Sequence, residues 1–253
     1  MNSSLPLTVS ANAPADKLEP ADAAPLAAEA AHAALWDMDG VLIDSGPSHF
    51  EGWRRLARER GGDLTYERFR PTFGMRNDQA VLAMFGEVSA DESEAIASRK
   101  EELFREVIRE SLEAKPGVRD LLTGLRAAGF RLAVASSAPK VNVLLVLEIL
   151  GLGSFFQAIV SGADVVHGKP DPEVFIRGGE RLGVPPERCV VFEDAVVGVA
   201  AALGAGMRCV AVVGTATPDE LQDADLVVGS LAVLSAGDVR RLIDSGRASH
   251  CGS

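Results

Sequence analysis

The stretch LWDMDGVLIDS, residues 35–45, decides how the rest of this chain is read. An apolar segment runs into three carboxylates, Asp37, Asp39 and Asp44, within eight positions. Carboxylates that close repel one another, so a chain disperses them unless a cation or a reacting group makes the cluster useful. Residues 33–36 have the form of a short strand that delivers those acids to a site.

The segment that follows is helical, with no strand pattern. Phe50, Trp53, Leu56 and Ala57 recur at helical spacing, and residues 65–73 and 77–85 read as short helices separated by Gly74. Residues 91–113 read as one long helix with Ile96, Leu103, Val107 and Ile108 on its apolar side. After Lys115-Pro116-Gly117 helices and strands alternate. Helices are expected over 118–128, 139–150 (Pro139 in its first turn), 172–182, 195–205 and near 237–244, and strands over 130–137, 158–160, 189–194, 209–213 and 225–229.

Apolar strands without polar alternation, separated by amphipathic helices, indicate a parallel sheet covered on both faces. The expected fold class is therefore α/β: a doubly wound parallel sheet, a Rossmann-like core, with an inserted all-helical cap domain. Residues 32–45 and 115–253 are assigned to the core and 46–114 to the cap. Residues 1–31, rich in Ala and Pro and without period, read as a disordered extension.

Composition narrows the function classes. The 253 residues include 36 acidic and 25 basic side chains, for a net charge of -11, which argues against broad binding to nucleic acid or an anionic membrane. A small phosphorylated metabolite, needing only a few local positive groups, remains an acceptable partner. Cys189, Cys209 and Cys251 show neither a disulfide framework nor a zinc spacing, and the first two sit in apolar runs as buried hydrophobes. The N-terminus lacks the regions of a signal peptide, and no apolar run approaches the ~20 residues that span a bilayer. A cytoplasmic location is expected, as a monomer or weak homo-oligomer.

In a doubly wound sheet, ligands bind beyond the carboxyl ends of the strands. The first strand ends in Asp37 and Asp39, another in Ser136 and Ser137, and a third in Glu193 and Asp194, while Lys169 follows the short strand in HGKPDP. Asp37, Glu193 and Asp194 are hard oxygen ligands suited to Mg²⁺. Ser136 or Ser137, at a helix start, can hold phosphate oxygens, and Lys169 adds a point charge. In that setting Asp37 can act as nucleophile and Asp39 as general acid and base.

These residues resemble the haloacid dehalogenase superfamily of phosphotransferases. DMDGV at 37–41 is similar to its first motif, Ser136 after LAVA to the second, Lys169 in GKPDP to the third, and Glu193-Asp194 in VVFEDAVVG to the fourth. The resemblance implies that the backbone carbonyl of Asp39 also ligates Mg²⁺. It argues against dehalogenation, whose enzymes lack the second aspartate, and against phosphonate cleavage, which replaces it.

The helical insert resembles the small cap of the branch containing β-phosphoglucomutase and many sugar-phosphate phosphatases. His49, twelve residues after Asp37, falls where the mutase has a histidine contacting the leaving oxygen and Asp39. Arg76 and Lys100 are candidates for binding the substrate remote from the metal, although Arg76 is displaced by one position from the mutase pattern. Trp53 reads as cap packing, and Asp44 either caps the turn into the insert or joins the site. The implied activity is a Mg²⁺-dependent phosphatase acting on a small phosphorylated metabolite, a sugar phosphate. The alternatives are a β-phosphoglucomutase-type phosphomutase and, from another class, a non-enzymatic binding module.

Overall fold

The computed structural model describes residues 31–72, 75 and 77–246. The expected extension over residues 1–30, the candidate ligand Arg76 and Cys251 lie outside the described residues.

Ala33–Trp36 forms β1, and all four side chains are buried. Between it and β2 (Arg131–Ala135) the chain makes α1 (Gly46–Glu59), α2 (Tyr66–Phe69), α3 (Asn77–Phe85), α4 (Ala90–Glu110) and α5 (Val118–Ala127). There follow α6 (Lys140–Leu150), β3 (Ala158–Val160), α7 (Glu173–Leu182), β4 (Cys189–Glu193), α8 (Val196–Gly204), β5 (Arg208–Val212), β6 (Leu226–Val228) and α9 (Ala236–Asp244). The six strands form one parallel sheet in the order β3-β2-β1-β4-β5-β6. The strand order reverses at β1, so the crevice that such a reversal opens lies at the carboxyl end of the strand carrying Asp37.

Period-two alternation sends neighbouring strand residues to opposite faces. On one face Ala34, Trp36, Leu132, Val134, Val190, Phe192 and Val210 pack beneath α5, α6 and α9, with Trp36 and Phe192 stacked 4.2 Å apart. On the other, Leu35, Ala133, Ala135, Cys189, Val191 and Cys209 pack against α7 and α8. Both cysteines are buried apolar groups, as their sequence context implies. Ala31 packs on this second face as well, so packed structure begins within the last residue of the expected extension.

The insert has a core of its own. Trp53, Leu56 and Ala57 of α1, Phe69 of α2, Val81 and Met84 of α3, and Ile96 and Leu103 of α4 form a third cluster. Helix α4 serves two cores, because Phe104 and Ile108 join the sheet cluster instead. The two linkers entering and leaving the insert run side by side, through an antiparallel bridge between Ile43 and Ala114 and a bond from Lys115 N to Leu42 O of 2.9 Å.

Local chemistry moves some boundaries. Ser89 caps α4 by accepting from Glu92 N at 3.2 Å, which starts that helix at Ala90, and it ends at Glu110 rather than 113. Pro139 occupies the N-cap of α6 rather than its first turn. The expected helix over 65–73 becomes α2 and a 3₁₀ turn, Arg70–Thr72.

Candidate active site

Asp37 follows β1 directly, and its N–H still bonds Phe192 O of β4 at 3.0 Å, which fixes the carboxylate at the mouth of the crevice. Lys169, from the loop after β3, reaches across to it. Its Nζ donates to Asp37 Oδ1 at 2.6 Å and to Glu193 Oε1 at 2.5 Å, above the ring of Phe175. Burial lowers the affinity of Lys169 for its proton, but the two carboxylates outweigh burial and hold it above the ordinary lysine value.

Glu193, also expected as a metal ligand, is held by protein groups on both of its oxygens. Besides the Lys169 bond, its Oε2 accepts from the N–H groups of Asp194 at 2.7 Å and Ala195 at 2.8 Å. Both oxygens are thus engaged, and Glu193 positions Lys169. Only glycine leaves room for it, since a Cβ on Gly198 of α8 would fall 1.9 Å from Glu193 Oε1.

Asp194 accepts a bond from Thr215 Oγ1, just beyond β5. It also abuts Gly40, whose φ of +77° and bare Cα are both required, because a Cβ there would lie 1.7 Å from Asp194 Oδ2. Lys115, from the second linker, donates to the Gly40 carbonyl at 2.5 Å. Burial, and then the Glu193 charge, push the Asp194 carboxyl up to about 7. Burial also raises Asp37 well above the ordinary carboxylate range, with Glu193, Asp194 and Asp39 adding to it and Lys169 opposing.

A second set approaches Asp39 from the cap. His49 Nε2 lies 3.5 Å from Asp39 Oδ1, Lys100 Nζ lies 2.9 Å from His49 Nδ1, and Lys100 donates to Glu101 Oε1 at 2.8 Å. An ammonium only donates, so His49 Nδ1 is the acceptor and Nε2 carries the proton that faces Asp39. Burial and then Lys100 hold His49 below its ordinary value, in the neutral form. Burial pushes Asp39 up, but His49 and Lys100 outweigh it and leave the carboxylate more acidic than usual. Lys100 is buried, with the rings of Trp53 and Phe104 each 5.5 Å from its ammonium, so it is not a solvated surface residue.

One cavity of about 740 Å³ brings these groups together. Asp37, Asp39, Lys169, Glu193, Asp194, Ser136 and Ser137 line it from the core, and His49, Trp53 and Lys100 line it from the cap. Ser136 is buried and its Oγ accepts from Ala138 N at 3.1 Å, while Ser137 is exposed. Asp44 is exposed and does not line the cavity.

Sequence reasoning missed Asn77, Glu101, Asn142 and Thr215, all of which line the same cavity. Asn142 had a signal: it is the one polar residue between apolar positions in VNVLLVL, residues 141–147. Thr215 had another, lying just past the end of the strand beside β4. Glu101 had none, because SRKEE reads as a solvated helix face.

The family model for haloacid dehalogenase-like hydrolases matches residues 31–206. The chain belongs to the haloacid dehalogenase-like hydrolases. It is 37% identical over 70% of its length, and 82% of the relative's, to a phosphorylated carbohydrates phosphatase of Thermotoga maritima. A fructose-1-phosphate phosphatase of Escherichia coli is 33% identical over 70% of this chain and 93% of its own. The chain spans between 23% and 58% of the length of its Arabidopsis thaliana relatives. Among solved structures, β-phosphoglucomutase from Clostridium difficile superimposes with a TM-score of 0.76 at 25% identity, covering 85% of this chain and 98% of that one. This hydrolase is thus of the phosphoric monoester class. Among the described residues no helix is long and apolar enough to cross a membrane.

Members of this family generally use Mg²⁺, and the residues present fit that ion. Among the described residues no three His, Cys, Asp or Glu side chains form a preformed metal centre. Mg²⁺ needs less, since it binds through one or two carboxylates and keeps several waters. Asp37 and Asp194 are two buried carboxylates that resist ionisation together, and a divalent cation would supply the charge they lack.

Proposed function

We propose that this hydrolase removes the phosphoryl group from a small sugar phosphate, in a Mg²⁺-dependent reaction that passes through an aspartyl phosphate on Asp37. The observation that carries the reading is the placing of Asp37, Asp39 and Lys169 around one cavity, with Lys169 Nζ 2.6 Å from the Asp37 carboxylate. The relatives named as phosphatases of phosphorylated carbohydrates and of fructose 1-phosphate support the substrate class.

Asp37, Asp194 and the backbone carbonyl of Asp39 would hold Mg²⁺, which when bound supplies the positive charge that lets a phosphate dianion approach clustered carboxylates. Lys169, fixed by Glu193, neutralises charge on the transferring group. Ser136 and Ser137 offer hydroxyls to its oxygens. The Asp37 carboxylate attacks phosphorus as the bond to the sugar oxygen breaks, and Asp39 gives that oxygen a proton. Asp39 then takes a proton from the water that attacks the acyl phosphate, releasing inorganic phosphate and regenerating Asp37. A dianion beside Asp39 raises its hold on a proton, which offsets the acidity that His49 imposes.

The likeness to β-phosphoglucomutase, together with the His49–Lys100 pair against Asp39, supports a second reading in which a sugar hydroxyl replaces water as acceptor. Water is favoured because the Lys100 charge is matched by Glu101, which leaves it a weak clamp for the second phosphate of a bisphosphate intermediate. Incubating the protein with Mg²⁺ and a panel of sugar monophosphates tests the main reading. Inorganic phosphate is expected, and its absence from every substrate would refute it.

A further inference from the structure

At the cap end of the cavity the polar groups are arranged around Glu101, and the family reading assigns this residue nothing. Glu101 is 8% exposed and follows Lys100, which is 3% exposed, on α4. Its Oε1 accepts from Lys100 Nζ at 2.8 Å and from Asn77 Nδ2 at 2.9 Å. Its Oε2 accepts from Asn142 Nδ2 at 2.5 Å, and the oxygen of the same amide accepts from Arg105 Nη1 at 3.0 Å. Burial works against the carboxylate, but Lys100 and Asn77 outweigh burial and keep it ionised.

The consequence concerns charge. A buried lysine facing a substrate cavity is by itself an anion site. Here the ammonium is shared between a carboxylate and a neutral histidine, and the pair carries no net charge. A second phosphate arriving at this end would meet Glu101 as well as Lys100, and Asp78 lines the same cavity. Like charges brought together in a poorly solvated site are strongly unfavourable. Hydroxyl groups face no such penalty: Asn77, Glu101 and Asn142 present amide and carboxylate groups that can exchange bonds with them.

We propose that Glu101 is a specificity-determining residue: by neutralising Lys100 it makes the cap end of the cavity accept an uncharged, hydroxylated group and reject a second phosphate. The substrate class is then sugar or polyol monophosphates, against bisphosphates. This rests on the phosphatase reading above, and it extends that reading to the end of the substrate remote from the chemistry.

The test is the ratio of kcat/KM for a monophosphate to that for the matching bisphosphate, using fructose 1-phosphate with fructose 1,6-bisphosphate and glucose 6-phosphate with glucose 1,6-bisphosphate. Damage to catalysis affects both members of a pair and cancels, and Arg76 is the same in wild type and variants, so its contribution cancels when their ratios are compared. Glu101→Gln frees the Lys100 charge and is expected to lower the ratio by about tenfold or more. Lys100→Gln leaves Glu101 unpaired and is expected to raise it. Thermal denaturation shows which variants fold, and either one suffices to decide. Opposite shifts support the proposal, because a merely structural role moves the ratio in neither direction. A ratio that stays within about threefold of wild type in a folded variant overturns it, with the phosphatase reading intact. No phosphate from any monophosphate in the wild type overturns both.

Discussion

Lys100 Nζ sits 2.9 Å from Nδ1 of His49, and this contact fixes which ring nitrogen carries the proton. It places an N–H, not a lone pair, toward Asp39. A residue on the last long cap helix thereby sets the hydrogen-bonding state of the proposed general acid and base, two side chains away.

Replacing Lys100 with Met removes that control. The His49 ring loses the neighbouring positive charge that helps hold its value down, so its pKa should rise, which NMR titration of the ring reads directly. Glu101 is left as an unpaired buried charge, with a cost of about 3–5 kcal/mol to stability. An unchanged His49 titration in the folded variant would contradict the influence given to the Lys100 charge.

Asp37→Asn should abolish turnover, because an amide cannot form the acyl phosphate. Its fold should not suffer. The Asp37 carboxylate is held with difficulty among three others, so removing its charge should leave the metal-free thermal midpoint unchanged or higher. Asp39→Asn should slow turnover by about 10²–10⁴-fold. Circular dichroism and a phosphate assay on the same preparations check both.

Asp194→Ala and Lys169→Ala should fail differently. Loss of the hard anionic ligand weakens Mg²⁺ binding, whereas loss of the cation weakens phosphoryl-group binding and transition-state stabilisation. Activity measured against Mg²⁺ concentration separates them. Equal loss of metal affinity in the two variants would count against the roles given to each.

Metal and pH should act on stability together. Asp194 is raised in the folded protein to about 7 from an ordinary value of 3.8, so the folded state holds a proton that the unfolded state releases. Its stabilising contribution is present below the unfolded value and is lost as pH rises through about 7. The metal-free protein should therefore have a lower thermal midpoint at pH 8 than at pH 6, as far as this group governs it. Added Mg²⁺ should raise the midpoint more at pH 8, where the Asp194 carboxylate is ready to bind it. Equal Mg²⁺ effects at the two pH values would show that no proton is displaced.

Much of this was legible in the sequence, for definite reasons. β1 and β3 fall at the expected residues because a short parallel strand covered by helices reads as a plain apolar run, and α3 begins and ends where its periodicity does. The core acids were found because a parallel sheet gathers its strand ends into one crevice, so order along the chain predicts proximity in space. Glu101, and the burial of Lys100, were hidden for the opposite reason. Their burial comes from α4 lying between two hydrophobic clusters, with Phe104 turned to one and Leu103 to the other. No local pattern of charges shows which face of such a helix a second body will cover. The engagement of both Glu193 oxygens was equally hidden, since it depends on the reach of Lys169 and on the space left by Gly198.

In the proposed reaction water, not a sugar hydroxyl, receives the phosphoryl group from Asp37, and a single incubation distinguishes the two. Sugar monophosphates, β-glucose 1-phosphate among them, are incubated with the protein and Mg²⁺, with glucose 1,6-bisphosphate supplied as primer for the glucose reaction. Inorganic phosphate and isomerised sugar phosphate are then counted in the same sample. Phosphate is expected to accumulate, isomerised product to form slowly or not at all, and Asp37→Asn to yield neither. Rapid formation of glucose 6-phosphate with little free phosphate would contradict the proposed reaction.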